Sequence, residues 1–502
     1  MSLVRNKLAA FFCLELLCLS FLAVSLMVLN GPWRSAHAQG GTIVVDYATV
    51  VSQAPPAYGT NVWWTDQDAD TWIERWEELG LSMARVVIPH ALIEPANDND
   101  APTVTDLDGF LLETPIGLPG EITRTITYRA WFEALRDQPS MEVMLSVTYL
   151  APWLTDNAAH PDLAFSAAPY PPNDMAEYKE FVETVLRYLI VDLEFPAERL
   201  LFEATNEPDL GCGQDPAVPC FWQNRAMQDV ADVVRVTHEA VEEVDAGIRV
   251  LGLAECCGTG VVRGLLEYYS EGSYLEGLSY HYYSPSGYNL EEVLNREATL
   301  ASYGLPIYLD EYGSFQYLSE GVDGALWHSW ALPVLWAAGL APLQFSISEG
   351  PLDLEPYNSM GLMEDWTGDW EFKPAFWVYA NFFHHMGHAD VVSNTAPANL
   401  DVMAGRKIVE GEVWLTIWIT NRENLNRNEM SVQVHGFPTA TATLSVYDNL
   451  RGVDALETLS LSGSPLTFTV DIPARSSWSL VLNEQWLIEK IYLPAILKRW
   501  NQ

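Results

Sequence analysis

Basic residues are scarce in this 502-residue chain: 26 Lys and Arg stand against 67 Asp and Glu, a formal charge of −41. Such a surface repels phosphate backbones, so nucleic acid is excluded as a partner, and the plainest use of the acidity is solubility. Charged residues of both signs make up only 19% while apolar residues reach 49%, which excludes wholesale disorder. Cysteine is also rare, with six in all. No G-x-G-x-x-G follows the first strand-like segment, so a dinucleotide site has no support. No cysteine or histidine spacing suits an ordinary zinc site, and neither a metal nor a cofactor is expected. Internal repeats and low-complexity tracts are lacking as well.

What is present begins with a leader. Arg5 and Lys7 precede an apolar run from Leu8 to Leu29, and Ala36-His37-Ala38 offers a small-x-small cleavage site before Gln39. The run is nearly long enough to span a bilayer, so an uncleaved anchor is the alternative to a cleaved signal, with Glu15 arguing against a stable span. The expected protein is secreted, with residues 1–38 removed and no stable membrane span left. Cys13 and Cys18 leave with the leader, and Cys212, Cys220, Cys256 and Cys257 remain. Four cysteines allow three pairings, and disulfides are expected in an oxidising compartment.

From 57 to 387, short apolar runs alternate with helical patterns, the mark of βαβ units around a parallel sheet. The expected strands are Ala57–Trp63, Met83–Ile88, Glu142–Thr148, Leu200–Thr205, Arg249–Ala254, Leu278–His281, Ile307–Leu309 and Leu343–Ser346. Eight strands over roughly 300 residues fit a (β/α)8 TIM barrel. From 388 to 483 the pattern becomes short alternating strands between Gly, Pro, Asn and Ser turns, which predicts a C-terminal β-sandwich. Thr42–Tyr47, within the 39–56 segment, reads as a strand that could return to the sandwich. Residues 484–502 form an apolar, slightly basic tail, read as an edge strand or a sorting tag.

Two carboxylates are expected at one rim of that barrel. Strand four runs into Thr205-Asn206-Glu207-Pro208, and strand seven ends Leu309-Asp310-Glu311-Tyr312-Gly313. Catalytic groups of this fold gather at the C-terminal ends of its strands. A carboxylic acid that protonates a leaving oxygen, and a carboxylate that attacks an anomeric carbon, are the pair that glycoside cleavage needs. The bland alternative for each Glu is a helix cap or a surface ion pair.

Asn-Glu-Pro on strand four with Glu on strand seven resembles clan A of the glycoside hydrolases, the "4/7" superfamily. The resemblance covers the barrel and extends to the sandwich. The early strand, Lys373-Pro374-Ala375-Phe376 opening the last helix, and the sandwich look most like family 39, with families 5 and 30 close. The resemblance implies that Glu207 is the acid/base and Glu311 the nucleophile of a retaining hydrolase cleaving β-linked glycans. It implies that Asn206 binds the sugar 2-OH and that Arg85 lies beside the nucleophile. His281-Tyr282-Tyr283 matches the clan's His-x-Tyr, with Tyr283 donating to the nucleophile and His281 contacting substrate or its neighbours. The tryptophan that family 5 enzymes usually carry at the end of strand eight is missing; Trp153, Trp63, Trp64, Trp222 or Trp366 could replace it, and Glu349 could bind a hydroxyl. The expected partner is an oligo- or polysaccharide. A catalytically inactive carbohydrate-binding or cell-surface protein on the same scaffold, and a transglycosylase, are the alternatives; the oligomeric state is open.

Overall fold

A computed structural model describes residues 41–62, 69–94, 96–97, 110–113, 123–126, 128–148, 150–155, 171–210, 226–348, 358–364 and 371–484. The leader, Trp63, Trp64, Trp222, Trp366, Glu349, Cys212, Cys220 and the tail from 485 lie outside them. Among the described residues no helix is long and apolar enough to cross a membrane.

The first strand, β1 (Thr42–Ser52), precedes the barrel. Barrel strands are β2 (Gly59–Val62), β3 (Met83–Pro89), β6 (Glu142–Thr148), β7 (Leu200–Glu203), β8 (Arg249–Glu255), β9 (Gly277–Ser284), β10 (Ile307–Ser314) and β11 (Ala341–Gln344). A small antiparallel hairpin, β4 (Phe110–Glu113) with β5 (Thr123–Ile126), is inserted after β3. The eight barrel strands pair in parallel and close on themselves, β11 pairing with β2. The helices that pack outside the barrel include Met175–Arg187 and Met227–Val244. Asp174 caps the first of these, accepting from the Ala176 N–H at 2.9 Å.

Strand alternation explains how a polar site forms on so apolar a barrel. Along each strand, successive side chains point to opposite faces. Val143, Leu145 and Val147 join the large core shared with the helices, while Met144 belongs to a separate inner cluster. That inner cluster also holds Ala57, Met83, Leu201, Leu251, Tyr308 and Leu343, one residue from each of six other strands or strand edges, and plugs the barrel. Two residues further along the same strands stand Arg85, Ser146, Glu203 and Asp310, all fully buried. An apolar floor therefore carries a polar layer, and the catalytic candidates sit above that.

Nine strands form the second domain. In chain order they are β1 followed by β12 (Asp390–Thr395), β13 (Asp401–Val409), β14 (Glu412–Asn421), β15 (Arg427–His435), β16 (Thr441–Asp448), β17 (Glu457–Ser462), β18 (Leu466–Ile472) and β19 (Ser476–Asn483). Their lateral order is β17-β16-β19-β14-β13-β12-β1-β15-β18, wrapped as a β-sandwich around a core that includes Ile43, Val45, Leu415, Ile417, Val432 and Leu480. The N-terminal strand β1 is interior to this sheet, antiparallel to β12 and parallel to β15.

The helix Gly321–Ala337 joins the two domains. It has no apolar stripe because it is buried nearly all round, which is what a helix between two packed layers requires. Its Ser329 oxygen atoms receive the Trp418 indole N–H from the sandwich, at 2.9 Å for the carbonyl. Pro374 opens the neighbouring helix Pro374–Met386 at its first turn, where a missing N–H costs nothing.

Candidate active site

Six barrel strands bring the site together. Arg85 on β3 is its organiser. Its guanidinium, buried completely, donates to Glu203 Oε2 at 2.7 Å, Asn61 Oδ1 at 2.9 Å and Ser146 Oγ at 3.1 Å. Upward it reaches Glu311 Oε1 at 2.6 Å and Asn206 Oδ1 at 2.7 Å. A planar fork of five N–H donors is the one side chain that can serve this many acceptors in fixed directions. By occupying Asn206 Oδ1, Arg85 also turns the amide NH2 of Asn206 away from itself.

Glu311 receives a second clamp. The Tyr283 hydroxyl donates to its Oε2 at 2.6 Å. His281 Nδ1 lies 3.3 Å from the same oxygen and 2.8 Å from Glu207 Oε1, so one imidazole edge bridges both glutamates. Each glutamate has a carboxylate oxygen within 4.8 Å of one on the other. His281 Nε2 points the other way, 3.2 Å from Asp310 Oδ2.

A bulge makes this possible. Neighbouring residues on a regular strand face opposite sides, yet Asp310 and Glu311 both reach the barrel interior. The pairing of β10 with β9 slips between Leu309 and Glu311, inserting Asp310 as the extra residue. Glu207 stands beyond the end of β7 with φ +47, a left-handed conformation uncommon for a side-chain-bearing residue. Its N–H is held by the Ala254 carbonyl at 2.9 Å, itself on a residue with φ 53. Strained backbone fixed by neighbours in this way is found where a side chain must be aimed.

Burial and charge compete at each titrating group. Burial pushes the Glu311 carboxyl up, while the charges of His281 and Arg85 and the Tyr283 hydrogen bond pull it back. For His281, burial disfavours the imidazolium, but Glu311 and Asp310 outweigh it and hold the ring well above its ordinary range. One oxygen of Glu207, one oxygen of Glu311 and one ring nitrogen of His281 lie within 4.8 Å of one another. The Arg85 guanidinium already supplies positive charge beside Glu311 there.

Of the residues singled out by sequence, Glu207, Glu311, Asn206, Arg85, His281 and Tyr283 converge. Trp153 is fixed elsewhere: its indole N–H donates to the Glu94 carbonyl at 3.1 Å and its ring lies against His90 at 5.4 Å. The aromatic group beside Glu311 is different. Phe345, just after β11, meets the Tyr283 ring edge-on at 6.0 Å, and Phe315 stacks on Tyr283 at 5.3 Å. Phe315 is 37% exposed and Phe345 half-buried. Sequence reasoning missed both, although Phe345 occupies the strand-eight position where the tryptophan was sought. It also missed Asn61, Ser146, Glu203 and Asp310; the signal for Glu203 was an acid inside the apolar run Leu200-Leu201-Phe202.

Loops beside Glu207 hold the remaining described cysteines. Asp209 accepts the backbone N–H groups of Cys256 and Cys257 at 2.9 and 2.8 Å, and the two sulfurs of this adjacent pair are joined.

No protein-family model matches the chain, and no curated protein does. Solved structures do. A glucosidase from Croceicoccus marinus superposes over 90% of this chain and 99% of its own, with a TM-score of 0.64 at 13% identity. The chain shares the fold of these enzymes. A glycoside hydrolase family 30 subfamily 8 xylanase from Clostridium acetobutylicum covers 88% of this chain with all of its own, at TM-score 0.60 and 15% identity. A family 39 enzyme from Xanthomonas axonopodis pv. citri covers 90% with 99% of its own, at TM-score 0.56 and 14% identity.

Proposed function

We propose that this protein is a secreted clan A glycoside hydrolase that cleaves β-linked oligo- or polysaccharides with retention of anomeric configuration. The observation that carries the proposal is the pairing of Glu207 with Glu311, oxygens within 4.8 Å, one carboxylate clamped by Arg85 and Tyr283. Retaining enzymes hold their carboxyl groups about 5–5.5 Å apart, whereas inverting ones leave room for a water at about 6.5–9.5 Å.

In this reading Glu311 attacks the anomeric carbon while Glu207 protonates the leaving oxygen, giving a covalent glycosyl-enzyme. Glu207 then takes a proton from water, which displaces Glu311 from the same carbon. Two donors fix Glu311 along one approach direction, so little reorganisation is needed as its charge is consumed. Asn206, its amide oriented by Arg85, donates to the sugar 2-OH. Phe345 and Phe315 offer apolar faces for the C–H side of the sugar ring in place of a tryptophan.

Turnover of a panel of nitrophenyl glycosides and polysaccharides by wild type, Glu207→Gln and Glu311→Gln tests the proposal. The expected result is hydrolysis of at least one β-glycoside by wild type, with loss in both variants. A wild type inactive on the whole panel, binding glycan as well as Glu311→Gln does, would instead indicate a binding protein. Export is checked separately: the protein recovered from culture medium should begin at Gln39.

A further inference from the structure

One layer beneath the two glutamates lie two acids for which the reaction has no direct use. Glu203 on β7 and Asp310 on β10 are both completely buried. The Arg85 Nε–H lies 2.7 Å from Glu203 Oε2 and 3.4 Å from Asp310 Oδ2, so one donor addresses both. Glu203 Oε1 and both Asp310 oxygens are buried acceptors with no hydrogen-bond partner among the described residues. Two ionised carboxylates only accept, so neither acid can satisfy the other unless one of them holds a proton.

Charge counting agrees. Around Glu207 the buried groups are Arg85, His281, Glu203, Asp310 and Glu311. Double displacement starts with Glu207 protonated and Glu311 ionised, a premise taken from the function proposed above. With His281 as imidazolium, the cluster is then neutral only if one proton resides on the Glu203–Asp310 pair. An uncompensated charge at such depth is strongly disfavoured.

The surroundings decide which acid carries it. Asp310 faces two cations, His281 Nε2 at 3.2 Å and Arg85. Glu203 faces Arg85 and, besides Asp310, the Ser279 hydroxyl. Burial pushes Glu203 up to about 8, whereas at Asp310 the His281 and Arg85 charges overcome burial and hold it at about 2.

We propose that Glu203 is a protonated carboxylic acid donating to Asp310, and that Asp310 is thereby the buried anion that keeps His281 an imidazolium between Glu207 and Glu311. Glu203 and Asp310 are positioning residues: they act on the reaction through His281. The ring presents Nε2 to the Asp310 carboxylate, 3.2 Å away, and Nδ1 to Glu207 and Glu311.

Infrared spectroscopy of the full chain near neutral pH tests this without relying on turnover. The Glu207→Gln protein is the parent, because its other site acid is then an amide. It should show a protonated-acid carbonyl band that shifts on ¹³C-glutamate labelling and not on ¹³C-aspartate labelling, an arm that alters neither residue of the pair. Glu203→Gln in that background should abolish the band, and Asp310→Asn should abolish it too, since Glu203 then ionises against Arg85. Imidazole ¹⁵N shifts of His281 should be those of a doubly protonated ring, becoming neutral in Asp310→Asn. A parent with no glutamate-derived acid band, or a His281 that is neutral in the wild type, overturns the proposal. An absence of glycosidase turnover with the band present would overturn the catalytic reading and leave the shared proton standing.

Discussion

Glu311 ends in two oxygens with different partners, Arg85 on one and Tyr283 on the other, and this division gives the sharpest residue-scale expectations. Burial raises the Glu311 carboxyl, so the acid limb of kcat/KM should lie above the ordinary carboxylate range, with activity lost as pH falls and Glu311 becomes protonated. The Tyr283 hydrogen bond lowers it, so Tyr283→Phe should move that limb further up in pH; an unmoved limb would separate Tyr283 from the nucleophile. Glu207→Gln should lower kcat/KM by about 10²–10⁴-fold on substrates with poor leaving groups, the usual range for a general acid. For Phe345→Ala a higher KM is expected with a smaller change in kcat, and Phe345→Trp should preserve KM. Asn206, Glu207 and Glu311 were legible because each lies in a short contiguous motif at a strand end. Glu203 and Asp310 were not, because their importance comes from facing each other across the barrel. No local pattern encodes that.

Elements add a constraint that single residues do not show. Asp310 and Glu311 share the barrel interior only because β10 bulges against β9, and a bulge of one residue leaves no mark in hydrophobic alternation. The barrel strands themselves were readable as apolar runs, since parallel strands are buried on both faces. Strand β17, by contrast, is an exposed edge with no buried face to create a pattern. The closure between β2 and β3 makes a different demand. A Cβ on Gly59 would lie 1.8 Å from the Met83 carbonyl oxygen, so Gly59→Ala must push the two strands apart where Asn61 and Arg85 are held in register. That variant should lose about 3 kcal/mol or more in urea unfolding, or fail to fold. Unchanged stability would mean that the strand pair has more room than its geometry allows.

At the scale of the whole molecule, the two domains are tied by strand β1 and by the helix Gly321–Ala337. The sequence placed a strand at Thr42–Tyr47 without fixing its partners; in the fold it fills the gap between β12 and β15. Removing residues through Ser52 should therefore unfold the sandwich and expose the barrel helices beneath it, seen as lost thermal cooperativity. Buried histidines set an acid limit on the same assembly. Burial lowers His328 to about 3 and lowers His384 and His385 below the ordinary 6.5. The unfolded chain binds protons at these rings as pH falls through about 6.5 while the folded chain does not, so stability declines on acidification. His281, raised in the fold, has the opposite sign: its contribution grows as pH falls from its raised folded range toward about 6.5 and is fully present below that. Burial lowers His90 and His388 as well, so with five rings against one the urea midpoint should be lower at pH 5 than at pH 7.

Chemical rescue by azide bears most directly on the pairing of Glu207 with Glu311. Glu311→Ala with azide and an activated β-glycoside that the wild type hydrolyses should yield a glycosyl azide of inverted anomer, since azide enters where the nucleophile stood. Glu207→Ala should yield the β-glycosyl azide, because the glycosyl-Glu311 intermediate forms first and azide attacks it from the other face. Those two products, assigned by NMR, are what the account requires. Interchanged anomers would contradict the assignment of roles, and an absence of rescue in both variants would contradict the pair itself.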